Sequence, residues 1–172
     1  MNCSAARPWL STTVVALVLT ASAALPAPAQ SAPPGKVAAS ISRLFGKAAT
    51  TDTIQTDGSP VFRIHDAAGV AGFAVVRNVL GKDQPITFLV ATDTAGTLRD
   101  VDILVYREPY GGEVAYDAWR KQFRGKTAAD PLLIGKDIRA ISGATISSNS
   151  VTLGVRTALA DLARWKSEGK LK

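Results

Sequence analysis

The chain has 172 residues, a length that suits one domain with its own hydrophobic core, and 47% of them are hydrophobic. Its net charge is +6 at neutral pH, but no basic run exceeds two residues, which argues against nucleic-acid binding. The single cysteine, Cys3, and the single histidine, His65, exclude a cysteine-ligated iron–sulfur cluster, a cysteine-type zinc site and a multi-histidine metal site.

Residues 1–29 have the pattern of a secretory signal peptide. Arg7 supplies a positive start, an apolar stretch runs roughly from Trp9 to Leu25, and Ala27-Pro28-Ala29 gives a small-x-small cleavage site. The apolar stretch is short and contains Ser and Thr, which favours a cleaved signal over a retained membrane anchor. Cleavage would remove one of the 20 basic residues and no acidic residue, leaving a net charge of +5. We therefore expect a periplasmic or exported protein, with membrane association as the alternative.

Residues 30–59 are predicted to be an N-terminal lead and a helix, and residues 60–166 to be the main domain. Apolar residues recur at helical spacing over residues 37–45 and Gly46 follows them, which predicts a short amphipathic helix. The Thr- and Asp-rich stretch over residues 50–59 is predicted to be a turn region.

Four strands are predicted in the middle of the chain, at Pro60–His65, Ala71–Arg77, Pro85–Thr92 and Thr97–Tyr106. Short turn signals separate them, so consecutive strands should pair as antiparallel hairpins or a meander. In the fourth strand, odd-numbered residues from Val101 to Val105 are expected on one face of the sheet. Even-numbered residues from Asp102 to Tyr106 are expected on the other face.

Two further helices are predicted, over residues 113–123 and from about Asn149 to Lys166. The N-cap of the last helix is ambiguous, because Ser147, Ser148 and Asn149 would all serve. An antiparallel sheet with helices packed against it in a single domain is an α+β fold.

A turn of small and hydroxyl-bearing residues precedes the last helix, with the sequence Ser142-Gly143-Ala144-Thr145-Ile146-Ser147. The glycine and alanine allow a phosphate to approach the backbone closely. A helix N-terminus carries free N–H groups and a positive dipole that stabilise such an anion. The same residues are also typical of an ordinary helix start, since Ser and Thr are common N-caps. From these residues alone both interpretations stay open.

The run Ser-Gly-Ala-Thr followed by Ile-Ser-Ser resembles the signature of the FMN-binding domain family. That family includes the C subunit of the sodium-pumping NADH:quinone oxidoreductase and the G subunit of the Rnf complex. The resemblance extends to residues 81–90, 106–114 and 122–126. It implies FMN as the cofactor and a phosphoester between FMN and the hydroxyl of Thr145. It also implies a partner, a separate flavin transferase that uses FAD and a divalent metal.

The resemblance departs from the family pattern at one position. Family members usually carry an Asp three residues before the motif serine, within the sequence that the transferase recognises. Here that position is Arg139, which replaces a negative charge with a fixed positive one. Covalent attachment at Thr145 and non-covalent binding, with Arg139 pairing directly with the phosphate, are therefore both open.

The loop from Tyr106 to Glu113 is the second candidate wall of the cofactor site. Tyr110 offers a ring to pack on the isoalloxazine, while Gly111 and Gly112 permit close backbone approach. The same residues also suit a tight strand-to-helix turn, and Glu113 suits a helix start.

No constellation of residues indicates a substrate-converting enzyme. The sequence lacks a nucleophile elbow, a dinucleotide fingerprint and a phosphate-binding P-loop. Redox chemistry would belong to the flavin. We therefore expect an electron carrier that serves membrane or periplasmic redox partners. The alternative is a non-redox flavin-binding or assembly module.

Overall fold

The computed structural model describes residues 32–172, so the predicted signal peptide lies outside the described residues. One antiparallel sheet has the order β1-β2-β3-β4-β5 and consists of β1 (Thr50–Ile54), β2 (Val61–Asp66), β3 (Gly69–Leu80), β4 (Pro85–Asp93) and β5 (Leu98–Val105). The helices are α1 (Pro34–Phe45), α2 (Asp117–Arg120) and α3 (Thr145–Ser167), with 3-10 turns at Gly112–Ala115 and Lys121–Phe123. The predicted α+β class and the meander are confirmed.

Helices α1 and α3 pack on opposite faces of the sheet. In β4 every residue from Ile86 to Thr92 is buried, because apolar residues cover both faces of the strand. The larger hydrophobic cluster, on the α3 face, includes Phe88 and Trp165. The smaller cluster, on the α1 face, includes Ile41 and Leu89. The sheet is therefore rigidly held from both sides, which gives the loops at its ends fixed starting points.

The predicted turn region over residues 50–59 is wrong in its first half. Thr50–Ile54 forms the edge strand β1, which pairs antiparallel with β2. Threonine is β-branched and suits a strand, and polar side chains are tolerated on an exposed edge.

The predicted strict alternation fails near the end of β5. The register between β4 and β5 shifts at Leu104, which is the extra residue of a β-bulge. A bulge re-aims the side chains that follow it. Val105 therefore joins Leu104 in the α1-side cluster, whereas Tyr106 packs with Ile103 against the α3-side cluster. The bulge brings Tyr106 to the face on which α3 lies.

The helix predicted over residues 113–123 is broken into α2 and its two flanking 3-10 turns. Tyr116 has an extended backbone, so the first turn cannot run on into α2. Trp119 and Phe123 are nevertheless both buried, and their rings meet edge to face with centroids 5.1 Å apart.

Helix α3 begins at Thr145, about four residues earlier than predicted, and all three predicted N-caps are wrong. The N-cap residue is Ala144, which makes no side-chain capping bond. Ser147 and Ser148 lie inside the helix, and the amide of Asn149 donates to the carbonyl of Thr145 at 2.8 Å.

Candidate functional site

The small-residue turn before α3 is built around Gly143. The N–H of Ala144 donates to the carbonyl of Ile141 at 3.0 Å and closes the turn, within which Gly143 has φ +83°. An L side chain rarely adopts that conformation. A Cβ built on Gly143 meets no atom within 4 Å, so the space above the turn is open to a ligand.

The first turn of α3 presents backbone N–H groups to this open space. The first intrahelical bond runs from the N–H of Ser148 to the carbonyl of Ala144 at 2.9 Å. The N–H groups of Thr145, Ile146 and Ser147 precede it and so have no partner within the helix. They stand at the positive end of a 23-residue helix, an arrangement that stabilises an anion such as phosphate.

The hydroxyls around this turn divide into two buried and two exposed ones. Ser148 is fully buried, and its Oγ accepts a backbone N–H of the turn at 3.2 Å. Ser147 is also buried, and its Oγ lies 2.9 Å from the Oη of Tyr106. Ser142 and Thr145 are exposed, and within residues 32–172 their hydroxyls make no hydrogen bond. Of these four hydroxyls, those of Ser142 and Thr145 are the ones available to a ligand.

Tyr106 ties the second predicted wall of the site to α3. Its hydroxyl donates to the carbonyl of Tyr110 at 2.5 Å, so the hydroxyl of Ser147 must donate to Tyr106. Burial of the phenol, aided by the negative charges of Glu108 and Glu113, raises the pKa of Tyr106. The phenol therefore keeps its proton at neutral pH, and the loop and the helix start are held as one unit. Sequence reasoning did not assign Tyr106 to the contact with Ser147, because a bulge sets its direction.

Gly111 is required at the contact between the loop and α3. Its φ is +88°, and a Cβ built there would lie 2.6 Å from the Oη of Tyr106 and 2.9 Å from the Oγ of Ser147. The neighbouring Gly112 would meet only ordinary contacts, 3.7 Å from the ring of Tyr106. Of the two glycines, Gly111 is the one whose backbone lies close to Tyr106 and Ser147.

Glu108 fixes the turn between β3 and β4 to the same loop. Its Oε1 accepts the N–H groups of Gln84 and Asp83 at 2.8 and 2.7 Å, and these bonds lower the pKa of Glu108. Gly81 leaves room for this carboxylate, since a Cβ there would lie 2.5 Å from Oε1. The contact brings Lys82 and Asp83 to the site, and neither was predicted from the sequence.

Two adjoining cavities are lined by most of the predicted site residues. The first, about 350 Å³, has walls that include Tyr110, Gly111, Gly143, Ala144, Thr145, Ile146 and Ser147. The second, about 420 Å³, shares several of these residues and adds Gly112 and Glu113. Tyr110 is 83% exposed and Ile146 is 52% exposed, so both present apolar surface at the rim. Of the predicted site residues, only Ser142 lines neither cavity.

Arg139 does not line the 350 Å³ cavity at Thr145. Its N–H donates to the Oε1 of Gln122 at 2.9 Å, and its carbonyl accepts the indole N–H of Trp119 at 2.7 Å. Its side chain is exposed and lines neither of the two cavities. The structure therefore does not bring Arg139 to the start of α3, where the sequence suggested a pairing with the phosphate.

The part of the chain that contains the loop and the turn is similar to known proteins. Residues 81–160 match the model of the FMN-binding domain family, a span that holds the loop, the turn and most of α3. This segment is similar to the FMN-binding domain family. The G subunit of the proton-translocating ferredoxin:NAD(+) oxidoreductase complex of Clostridium ljungdahlii is 38% identical over 87 residues. The match covers 46% of this chain and 46% of that protein, so the chain spans about half the length of this relative.

The residues present fit FMN, the cofactor of the FMN-binding domain. The open space at Gly143 and the N–H groups at the start of α3 suit its phosphate. Tyr110 and Ile146 offer the apolar surface that a flavin ring needs. When bound, FMN supplies the redox chemistry, while the domain supplies position and electrostatics. Between residues 32 and 172, no helix is both long and apolar enough to cross a membrane.

Proposed function

We propose that this protein is an exported electron-transfer flavoprotein that holds the FMN phosphate at the start of α3. The observation that carries the proposal is the division of hydroxyls around the turn. Ser147 and Ser148 are buried in internal bonds, whereas Thr145 is exposed beside the open N–H groups. The likeness to a subunit of a ferredoxin:NAD(+) oxidoreductase complex supports an electron-transfer role with membrane or periplasmic redox partners.

The proposal includes covalent attachment at Thr145 by a separate flavin transferase. Thr145 Oγ would attack the FAD phosphorus next to the ribityl chain, and the bond from that phosphorus to the bridging oxygen would break. AMP would leave, the hydroxyl proton would pass to a base of the transferase, and a phosphoester would remain. An external enzyme is needed because the one histidine, His65, lies in β2 with its Nε2 2.5 Å from Asp52.

The attachment is tested by co-expression with a flavin transferase. Wild type and Thr157→Ala, which removes an exposed threonine hydroxyl from the same helix, should fluoresce on a denaturing gel. Their intact mass should rise by that of FMN less one water. Thr145→Ala should show neither signal. Covalent flavin on Thr145→Ala would contradict the attachment site, and flavin that leaves wild type on denaturation would contradict covalency.

The phosphate position is tested with two matched glycines. Gly143 and Gly135 share a φ of +83°, and neither has an atom within 4 Å of a built Cβ. Leucine at either position therefore introduces the same backbone strain, but only Gly143→Leu fills the space above the turn. Gly143→Leu should lose bound flavin and Gly135→Leu should keep it. Equal flavin retention by the two variants would overturn the site.

The second candidate function is a non-redox module that binds FMN non-covalently. Arg139, which stands where family members carry an Asp, favours it. Arg139→Asp should increase the covalently flavinylated fraction if the transferase reads this position. Reversible reduction of the bound flavin, with reoxidation by a soluble electron acceptor, would support the electron carrier. A bound flavin that is neither reduced by electron donors nor reoxidised by electron acceptors would support the non-redox module.

Export and domain division are part of the proposal. Residues 1–29 would be removed as a signal peptide. Residues 30–59, which include α1 and the edge strand β1, would precede the FMN-binding domain of residues 60–166. N-terminal sequencing of protein recovered from the cell envelope should begin at Gln30. An intact Met1 on protein from the cytoplasmic fraction would contradict export.

A further inference from the structure

A third cavity continues the two that surround the turn. The 420 Å³ cavity shares Tyr110, Gly111 and Gly143 with the smaller cavity at Thr145. On its other side it shares Glu113 and Tyr116 with a cavity of about 550 Å³. Because neighbouring cavities have common walls, the three form one trough that runs from the start of α3, past the loop, to α2. We call it the loop trough.

The two ends of the loop trough differ in chemistry. The end at Thr145 offers backbone N–H groups and suits a phosphate. The end at α2 is the larger one, and Trp119, Tyr116 and Ile141 contribute aromatic and apolar walls. A planar apolar ring is the kind of group that such walls bind. A ligand with a phosphate at one end and an aromatic ring at the other matches this order.

Two cations stand at the α2 end of the loop trough. Arg139 and Lys121 both line the 550 Å³ cavity, and within residues 32–172 neither side chain forms an ion pair. The backbone of Arg139 is fixed on both sides by Trp119 and Gln122, so its guanidinium is held near the cavity without being used by the fold. The carboxylate of Glu113 lines the same cavity and only partly offsets the two positive charges.

We propose that the isoalloxazine ring lies along the loop trough toward Trp119, and that Arg139, with Lys121, stabilises the reduced flavin. The inference rests on the proposed position of the phosphate at Thr145. Reduction of the ring by two electrons and one proton, supplied by an electron donor and by solvent, leaves one negative charge on it. A fixed positive charge beside the ring favours this reduced form and raises the midpoint potential.

The test compares three variants loaded with flavin, Arg139→Gln, Arg139→Lys and Arg156→Gln. Arg156 is exposed on α3 and lines none of the three cavities, so Arg156→Gln removes the same charge elsewhere. Spectroelectrochemical titration should show a lower midpoint potential for Arg139→Gln only. Expressed as the equilibrium constant for reduction of the bound flavin, the loss should be roughly two- to fivefold for an exposed charge. Arg139→Lys should retain most of the effect.

The inference and the proposed function fail in different ways. If Arg139→Gln and Arg156→Gln have equal potentials while Gly143→Leu still loses flavin, the ring does not approach Arg139 and only this inference is overturned. If Gly143→Leu keeps its flavin, the phosphate position itself is wrong. Equal melting temperatures of wild type and Arg139→Gln are expected, since within residues 32–172 the side chain forms no hydrogen bond or ion pair. A large fall would assign Arg139 to the fold and contradict the inference.

Discussion

On the α1 face of the sheet, Asp100 is fully buried and its Oδ2 lies within 3.3 Å of guanidinium nitrogens of Arg43, Arg120 and Arg124. On the α3 face, the hydroxyl of Thr145 is exposed and has no hydrogen-bond partner among the described residues. Asp100 and its arginines bind one another and form a closed network, whereas the hydroxyl of Thr145 is left free beside a cavity.

The closed network shows how this fold uses charge for stability. Asp102 extends the network: it accepts a hydrogen bond from Ser40 at 2.5 Å and forms an ion pair with Arg43 at 2.9 Å. Burial opposes ionisation of Asp102, but these hydrogen bonds outweigh it and lower the pKa of the carboxyl. The network joins α1, β5 and the α2 region, and each of its arginines is paired with an aspartate. A polar group without a partner among the described residues, such as the hydroxyl of Thr145, instead indicates a place where a ligand can bind.

Asp100→Asn breaks the closed network and has the largest expected effect. The change leaves buried Arg120 without its main counter-charge, which costs about 3–5 kcal/mol of unfolding free energy for a buried pair. Urea unfolding should show the fall in midpoint at an unchanged slope.

The control for Asp100→Asn is Asp161→Asn, which breaks the more exposed pair with Arg77 and should cost less than about 1 kcal/mol. Flavin binding by the folded fraction should be the same in both. Equal destabilisation by the two variants would show that the buried network does not hold the α1 face.

Hydrophobic periodicity was sufficient to predict most of the fold. Helix α1 and strands β2 to β5 follow from apolar spacing and turn residues, and their antiparallel order follows from short connections. β1 was missed because its threonines suit both turns and edge strands. The bulge at Leu104 was missed because it depends on the pairing of β5 with β4, which local spacing does not encode.

The candidate site was predictable where backbone chemistry decides and not where packing does. The small residues at Gly143 and Gly111 are readable because only glycine suits their φ. The start of α3 was misplaced because capping preference points to Ser147 and Ser148, whose hydroxyls are instead bound by Tyr106 and the turn. Tyr106 lies 41 residues before Ser147 in the chain, so local capping preference does not encode that contact.

Gly111→Ala tests the joint between the loop and α3. The added Cβ collides with the hydroxyls of Tyr106 and Ser147 and takes an unfavourable φ, a combination that costs about 1–3 kcal/mol. Displacing the loop should weaken FMN binding about tenfold. Gly112→Ala is the matched control, because its Cβ meets only ordinary contacts. Titration of the apoprotein with FMN measures both, and equal affinities would disconnect the loop from the site.

Tyr106→Phe removes the hydroxyl that links the carbonyl of Tyr110 to Ser147. Losing these two hydrogen bonds should cost about 1–3 kcal/mol of stability and leave the ring packing intact. Tyr116 is exposed, and its hydroxyl has no partner in residues 32–172. Tyr116→Phe should therefore change neither the stability of the protein nor its affinity for FMN. Thermal unfolding and FMN titration distinguish the variants; identical behaviour would mean that Tyr106 does not position the loop.

Glu108→Gln addresses the smallest effect, the pH dependence of the turn between β3 and β4. The N–H groups of Gln84 and Asp83 hold the pKa of Glu108 below the usual 4.5, so ionised Glu108 stabilises the native state. This contribution is fully present above pH 4.5 and is lost as the pH falls through the lower native pKa. Melting temperatures of wild type should therefore fall more steeply below pH 4.5 than those of Glu108→Gln. Glu113→Gln is the matched control, because within residues 32–172 its carboxylate accepts no backbone N–H. Parallel curves for wild type and Glu108→Gln would show that the carboxylate does not fasten this turn to the loop.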